Sequence, residues 1–112
     1  MCAGTMKEMT APVLKHHLEQ TGQAPFLLDV REPWEFDTVH IAGSKLIPLA
    51  ELAQHLHELP HDRTIVAICH HGIRSRQAGL FLQAQGFTQT INLHGGIDSW
   101  AREVDPSLPL YN

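Results

Sequence analysis

Apolar residues recur along this chain in two rhythms. The first is the short unbroken run: FLLDV at 26–30, TIVAI at 64–68 and TINL at 90–93, each bounded by turn-forming or charged residues. Runs of that length are the pattern of strands buried on both faces, and the β-branched character of TIVAI strengthens it there. KLIP at 45–48 is a shorter strand candidate that ends at Pro48. The second rhythm is the helical stripe. Ala11, Leu14 and Leu18 share a face behind Thr10 as cap, with Pro12 tolerated in the first turn and Gly22 as the stop. Leu49, Leu52, Ala53, Leu56 and Leu59 predict an amphipathic helix that Pro60 terminates; Ala78, Phe81 and Leu82 predict another over 75–85, ended by Gly86. A last short helix is predicted around Ile97–Arg102. Strands alternating with amphipathic helices indicate βαβ units, hence an α/β fold with a small, mainly parallel sheet covered by helices on both faces.

Composition narrows the picture. The 112 residues, 43% hydrophobic and 18% charged, suit one folded domain over 1–112, with residues 1–9 as a flexible or extended N-terminal segment. Net charge is −4 and the eight basic residues are scattered, which disfavours nucleic acid and anionic membranes as partners. The N-terminus lacks the apolar core of a secretory signal and no stretch is long and apolar enough to span a bilayer, so a cytoplasmic location is expected. Cys2 and Cys69 sit in unlike surroundings, a chain terminus and the end of an apolar run; no disulfide is expected between them, and Cys69 reads as a free thiol. Nine histidines include the pairs 16–17 and 70–71. Adjacent positions on a helix diverge by about 100°, poor geometry for chelation, and no metal is expected.

The chemistry concentrates in CHHGIRS, residues 69–75, directly after TIVAI. In open parallel sheets the ligand crevice lies beyond the carboxyl ends of the strands, where Asp29 and Cys69 both fall. With Arg74 or Ser75 opening the next helix, residues 70–74 form a tight loop whose amides lack intrahelical partners. Gly72 lets the loop curl, and successive N–H groups make a nest for an anion. A Cys69 thiolate at the edge of that nest, near Arg74, is stabilised as a nucleophile. The plainer alternative is a small buried hydrophobe, the usual fate of a free cysteine. Arg74 either attracts an anionic donor or braces the loop, and His70 and His71 either orient the donor or point to solvent. Asp29 and Arg31 are read as supporting residues that hold a loop, with Glu35, four residues after Arg31, as its ion-pair partner. Gly43, Gly95 and Gly96 read as turns and Trp100 as a core plug.

CHHGIRS after a hydrophobic strand is similar to the active-site loop of rhodanese-like sulfurtransferases. LLDVREPWEF, HIAGSKLIPL and LHGGIDSW resemble further blocks of that family, in the family's order, across residues 27–100. The resemblance implies a rhodanese-like fold and transfer of a sulfane sulfur from a donor such as thiosulfate to a thiophilic acceptor: cyanide, a small thiol or the thiol of a sulfur-accepting protein. Cys69 would carry the sulfur as a persulfide, His70, His71, Gly72, Ile73, Arg74 and Ser75 would bind substrate, and no cofactor would be needed. Phosphatases that resemble this fold place five residues between Cys and Arg, whereas four separate Cys69 from Arg74 here. The tighter loop favours a persulfide over a phosphate. The alternatives are a phosphatase or arsenate reductase of the same fold, and a non-catalytic binding module.

Overall fold

The computed structural model describes residues 6–20, 22 and 24–112. Cys2 lies outside the described residues, as does most of the segment expected to be flexible or extended. That segment's last residues, Lys7–Met9, form strand β1. Helix α1 (Ala11–Glu19), β2 (Phe26–Asp29), α2 (Pro33–Thr38) and β3 (Lys45–Leu46) follow, then β4 (Ile65–Ile68), α3 (Ile73–Ala84), β5 (Thr90–Leu93) and α4 (Gly96–Glu103). The five strands pair in the order β1-β5-β4-β2-β3, every pair parallel. Register sets Asp29 beside Ile68 and Asn92 beside Ala67, so the carboxyl ends of β2, β4 and β5 share one edge of the molecule.

Strand periodicity divides the core in two. Leu27, Val66, Ile68 and Leu93 point to the layer built by Ala11 and Leu14 of α1 and by Ile97 and Trp100 of α4. Leu28, Ile65 and Cys69 point to the opposite layer, with Ala78 and Leu82 of α3 and with Leu52, Leu59 and Phe87. Successive side chains on a strand face opposite ways, so a strand covered on both sides must be apolar throughout. All four residues of β4 are buried.

The stretch 49–59 differs from the α-helix predicted for it. It forms two 3₁₀ helices, Leu49–Gln54 and Leu56–Glu58, separated at His55 (φ −121°, ψ 17°). Bonds three residues apart, His55 N–H to Leu52 O at 3.0 Å and Leu59 N–H to Leu56 O at 3.1 Å, set the geometry. Leu49 to Leu52 and Leu56 to Leu59 are each a three-residue step, which suits the tighter helix equally well, and a short apolar stripe does not separate the two periods. Helix α3 also begins earlier than expected. Gly72 at φ +104° serves as its N-cap, placing Ile73 and Arg74 inside the first turn. Thr10 occupies the capping position of α1 without a side-chain cap bond.

Candidate active site

Strand β4 delivers Cys69 to the carboxyl edge of the sheet with 1% of its surface exposed and its thiol free. What bends the chain there is the neighbouring helix. The carbonyls of Cys69 and His70 accept from the first-turn amides of α4, Ile97 N–H at 2.8 Å and Asp98 N–H at 3.1 Å. This approach requires Gly96, whose φ is +61°: a Cβ there would sit 2.3 Å from Cys69 O and 2.5 Å from His70 O. With those carbonyls drawn outward, the loop folds back through Gly72, whose N–H donates to Cys69 Sγ at 3.0 Å. The amides of Ile73, Arg74 and Ser75 follow in the first turn of α3, where no carbonyl one turn earlier is available to them. The Ser75 hydroxyl lies 3.3 Å from Sγ and 2.5 Å from Asn92 Oδ1. Asn92 is itself fixed, its amide donating to Gly72 O at 3.1 Å and to the Glu8 carboxylate at 2.9 and 3.1 Å. The sulfur thus meets one main-chain donor, Gly72 N–H, and one hydroxyl, Ser75 Oγ, which the sheet, α3 and α4 hold in place.

A charged frame surrounds this loop. Arg74 forms a two-pronged pair with Glu35, Nη1 to Oε1 at 2.6 Å and Nη2 to Oε2 at 2.8 Å. The guanidinium holds the Glu35 carboxyl down at about 2 and is itself pushed up by the same bonds. Glu35 was expected to pair with Arg31, and the structure corrects that. Arg31 turns instead to Asp29, Nε to Oδ1 at 2.8 Å and Nη2 to Oδ2 at 2.7 Å, with both residues fully buried. From Glu35 it takes only the main-chain carbonyl, at 3.3 Å. Helix α2 aims the Glu35 side chain at α3, because a capping box in which the Glu32 amide donates to Glu35 Oε1 fixes it in the first turn. Of the two roles open to Arg74 from the sequence, the side-chain geometry is that of a brace: both terminal nitrogens are committed to Glu35.

The two loop histidines stack on each other, ring centroids 3.9 Å apart. His70 is sandwiched, its other face lying on Tyr111 at 4.0 Å with 10° between the planes. Burial, with the nearby His71 charge, disfavours its protonated form. Ile73 is 73% exposed on the outer side of the loop, beside an open cleft of about 570 Å³ that His71 and Gly72 also line. In a loop, neighbouring histidines escape the helical divergence invoked against chelation. His70, His71 and Asp98 bring one donor atom each within 4.8 Å of one another, a set chemically suited to a borderline cation such as zinc. Asp98 is at the same time bonded to Arg102 at 2.9 Å.

Of the residues singled out in CHHGIRS, Gly72 and Ser75 meet Cys69 Sγ, Arg74 and His70 belong to the frame, and the Ile73 side chain turns outward; Asp29 and Arg31 form a closed pair at the neighbouring strand end. Asn92, Glu8 and Tyr111 were not anticipated. An asparagine inside the apolar run TINL is a signal that was available; Tyr111, 80 residues from its partner Arg31, had none.

Comparison with known proteins identifies the family and the fold. A family model described as rhodanese-like domain matches residues 10–103. The chain is 41% identical over 93 residues to a probable adenylyltransferase/sulfurtransferase, MoeZ, of Mycobacterium tuberculosis, covering 81% of this chain and 24% of that protein. It spans only about a quarter of that relative's length. A protein named sulfurtransferase from Allochromatium vinosum is 34% identical over 101 residues, 90% of this chain and 94% of the relative. Among solved structures, a rhodanese-related protein from Thermoplasma volcanium superposes with a TM-score of 0.79 at 36% identity, over 88% of this chain and 93% of that one.

Proposed function

The chain belongs to the rhodanese-like domain family, and we propose that it works there as a sulfurtransferase that carries a sulfane sulfur on Cys69. The observation that carries this reading is the placement of Sγ 3.0 Å from the Gly72 amide and 3.3 Å from the Ser75 hydroxyl, at the N-terminus of α3. Those donors act where negative charge resides before and after transfer.

Two displacements at sulfur make up the reaction. Cys69 thiolate attacks the outer sulfur of a donor such as thiosulfate; the new S–S bond forms as the old one breaks, and sulfite leaves with the bonding pair. The terminal sulfur of the persulfide then carries the negative charge, and the first-turn amides of α3 stabilise it. An acceptor nucleophile, cyanide or a thiolate, attacks that terminal sulfur and returns Cys69 to the thiolate. Ser75 suits both states of the sulfur. A thiol can donate to its oxygen while the hydroxyl donates to Asn92, and a thiolate can receive the hydroxyl proton instead.

Gly72, Ile73, Arg74 and Ser75 supply backbone donors in this scheme, Arg74 holding the far end of the loop through Glu35. His70 and His71 form one wall of the mouth. Exposed Ile73 beside an open cleft leaves room for an acceptor larger than cyanide, so a protein thiol is included among the acceptors. No helix among the described residues is long and apolar enough to cross a membrane.

Intact-mass measurement after thiosulfate treatment tests the function. The expected result is a gain of one sulfur atom, removed by cyanide or a thiol, in wild type and not in Cys69→Ser. A gain in both proteins would move the chemistry off Cys69, and a gain in neither would end the sulfurtransferase reading.

A further inference from the structure

Beyond α4 the chain runs back over the active-site edge. Asp105 N–H bonds to Trp100 O at 3.0 Å and Leu108 N–H to Asp105 O at 3.1 Å, and Leu108 and Tyr111 pack on the core layer of α1 and α4. This path brings the last aromatic residue to the loop. The Tyr111 ring lies flat on His70, and Trp34 meets its edge with centroids 5.7 Å apart. Its hydroxyl accepts from Arg31 Nη1 at 2.9 Å and donates to Glu35 Oε2 at 2.7 Å. Burial pushes the phenol up to about 12, so it keeps its proton as a donor at neutral pH.

Glu35 then has both oxygens doubly engaged. Oε1 receives Arg74 Nη1 and the Glu32 amide; Oε2 receives Arg74 Nη2 and the Tyr111 hydroxyl. His70 follows Cys69 directly and Arg74 stands at the other end of the loop. One tyrosine therefore grips both ends, the first by ring contact and the second through a carboxylate.

We propose that Tyr111 is a positioning residue for the sulfur-carrying loop, which it holds at His70 by stacking and at Arg74 by way of Glu35. The inference rests on the sulfurtransferase reading for what the loop does, though not for how the loop is held. Stacking fixes where the chain leaves Cys69. The hydroxyl proton, directed at Glu35, offsets part of that carboxylate's charge. Without it Glu35 draws harder on Arg74, and the mouth presents less positive potential to an anion. Tyr111 thus favours anionic donors over neutral reagents at the same sulfur.

Tyr111→Phe keeps the ring and removes only the hydroxyl. Its expected effect is a KM for thiosulfate raised about three- to tenfold, as for loss of one hydrogen bond to a charged group, with kcat within about twofold of wild type. The decisive readout is alkylation of Cys69 at fixed pH by iodoacetate, an anion, and by iodoacetamide, which is neutral, followed by mass on the Cys69 peptide. The ratio of the two rates is expected to fall about two- to fivefold in Tyr111→Phe. Unfolding would expose the buried thiol and quicken both reagents, so the ratio is compared between proteins whose circular dichroism and melting curves show the same folded fraction. Tyr111→Leu removes the ring as well, and hydrogen exchange at residues 70–74 is expected to quicken there and to stay near wild type in Tyr111→Phe. A wild-type ratio in Tyr111→Phe overturns the proposal, as does unchanged exchange at 70–74 in Tyr111→Leu. Alkylation needs no sulfur donor. Failure of wild type to take sulfur from thiosulfate would therefore sink the proposed function alone, and an unmoved ratio would sink the role of Tyr111 alone.

Discussion

Two strand ends stand side by side at the carboxyl edge of the sheet and use their polar groups in opposite ways. At the end of β2, Asp29 and Arg31 are 0% exposed, and each of the five guanidinium N–H groups meets an acceptor: Asp29 twice, Glu35 O, Val39 O and Tyr111 Oη. Nothing is left over for a ligand. At the end of β4, the Gly72 amide and the Ser75 hydroxyl both meet a single sulfur, and the amides of the first turn of α3 follow beside it without carbonyl partners one turn earlier. Donors exceed acceptors there, and an anion completes the set. Position beyond a strand's carboxyl end marks both places; on the proposed function, surplus donors distinguish the one that carries sulfur.

The contrast breaks most sharply at Cys69. Cys69→Ser is expected to lower sulfur transfer from thiosulfate to cyanide by on the order of a thousandfold or more, while the melting temperature stays within about 2 °C of wild type. Transfer that survives in the variant would remove the chemistry from β4. Next comes the closed pair. Arg31→Ala strands the Asp29 carboxylate in the interior and is expected to cost about 3–5 kcal/mol in urea or guanidinium unfolding. A loss under about 1 kcal/mol would mean that Asp29 finds other partners and that the β2 end is not saturated as described.

Glu35 joins the two ends and gives the contrast a pH dependence. Held at about 2 in the folded protein by Arg74, against 4.5 for an ordinary glutamate, its carboxyl contributes stability that is fully present above about pH 4.5. That contribution disappears as pH falls toward 2, and at neutral pH it amounts to about 3 kcal/mol. The stability difference between wild type and Glu35→Gln, followed by urea midpoints, should therefore be largest near pH 7 and shrink steadily below pH 4.5. A difference that stays constant into acid would assign the effect to packing. The smallest change is expected at Ser75: Ser75→Ala removes one donor from the sulfur and should slow persulfide formation about three- to tenfold, read by stopped mass analysis at short times.

Much of the fold was legible because its signals are local. Each buried strand announces itself as a run, and Gly72, Gly86 and Gly96 mark turns that the backbone takes at positive φ. The loop was legible for the same reason, since Cys69, Gly72, Arg74 and Ser75 are contiguous. What escaped depends on partners distant in the chain. The spacing of Arg31 and Glu35 suggested a helical ion pair, yet Arg74, 39 residues on, competes for the same carboxylate and wins it. Lys7–Met9 carries only a weak apolar signal and becomes a strand because β5 offers it an open edge. The 3₁₀ geometry of 49–59 was hidden by a leucine spacing that both helix types share.

Strand β1 has a bearing on handling the protein. It is three residues long, lies at the border of the sheet and is joined to it along one side only, yet Glu8 at its centre grips Asn92, the residue that steadies both Ser75 and Gly72. Peeling that short ribbon away, by proteolysis or by a bulky fusion pressed against Lys7, would unclasp the cysteine's surroundings from a distance while sparing every residue of the loop itself.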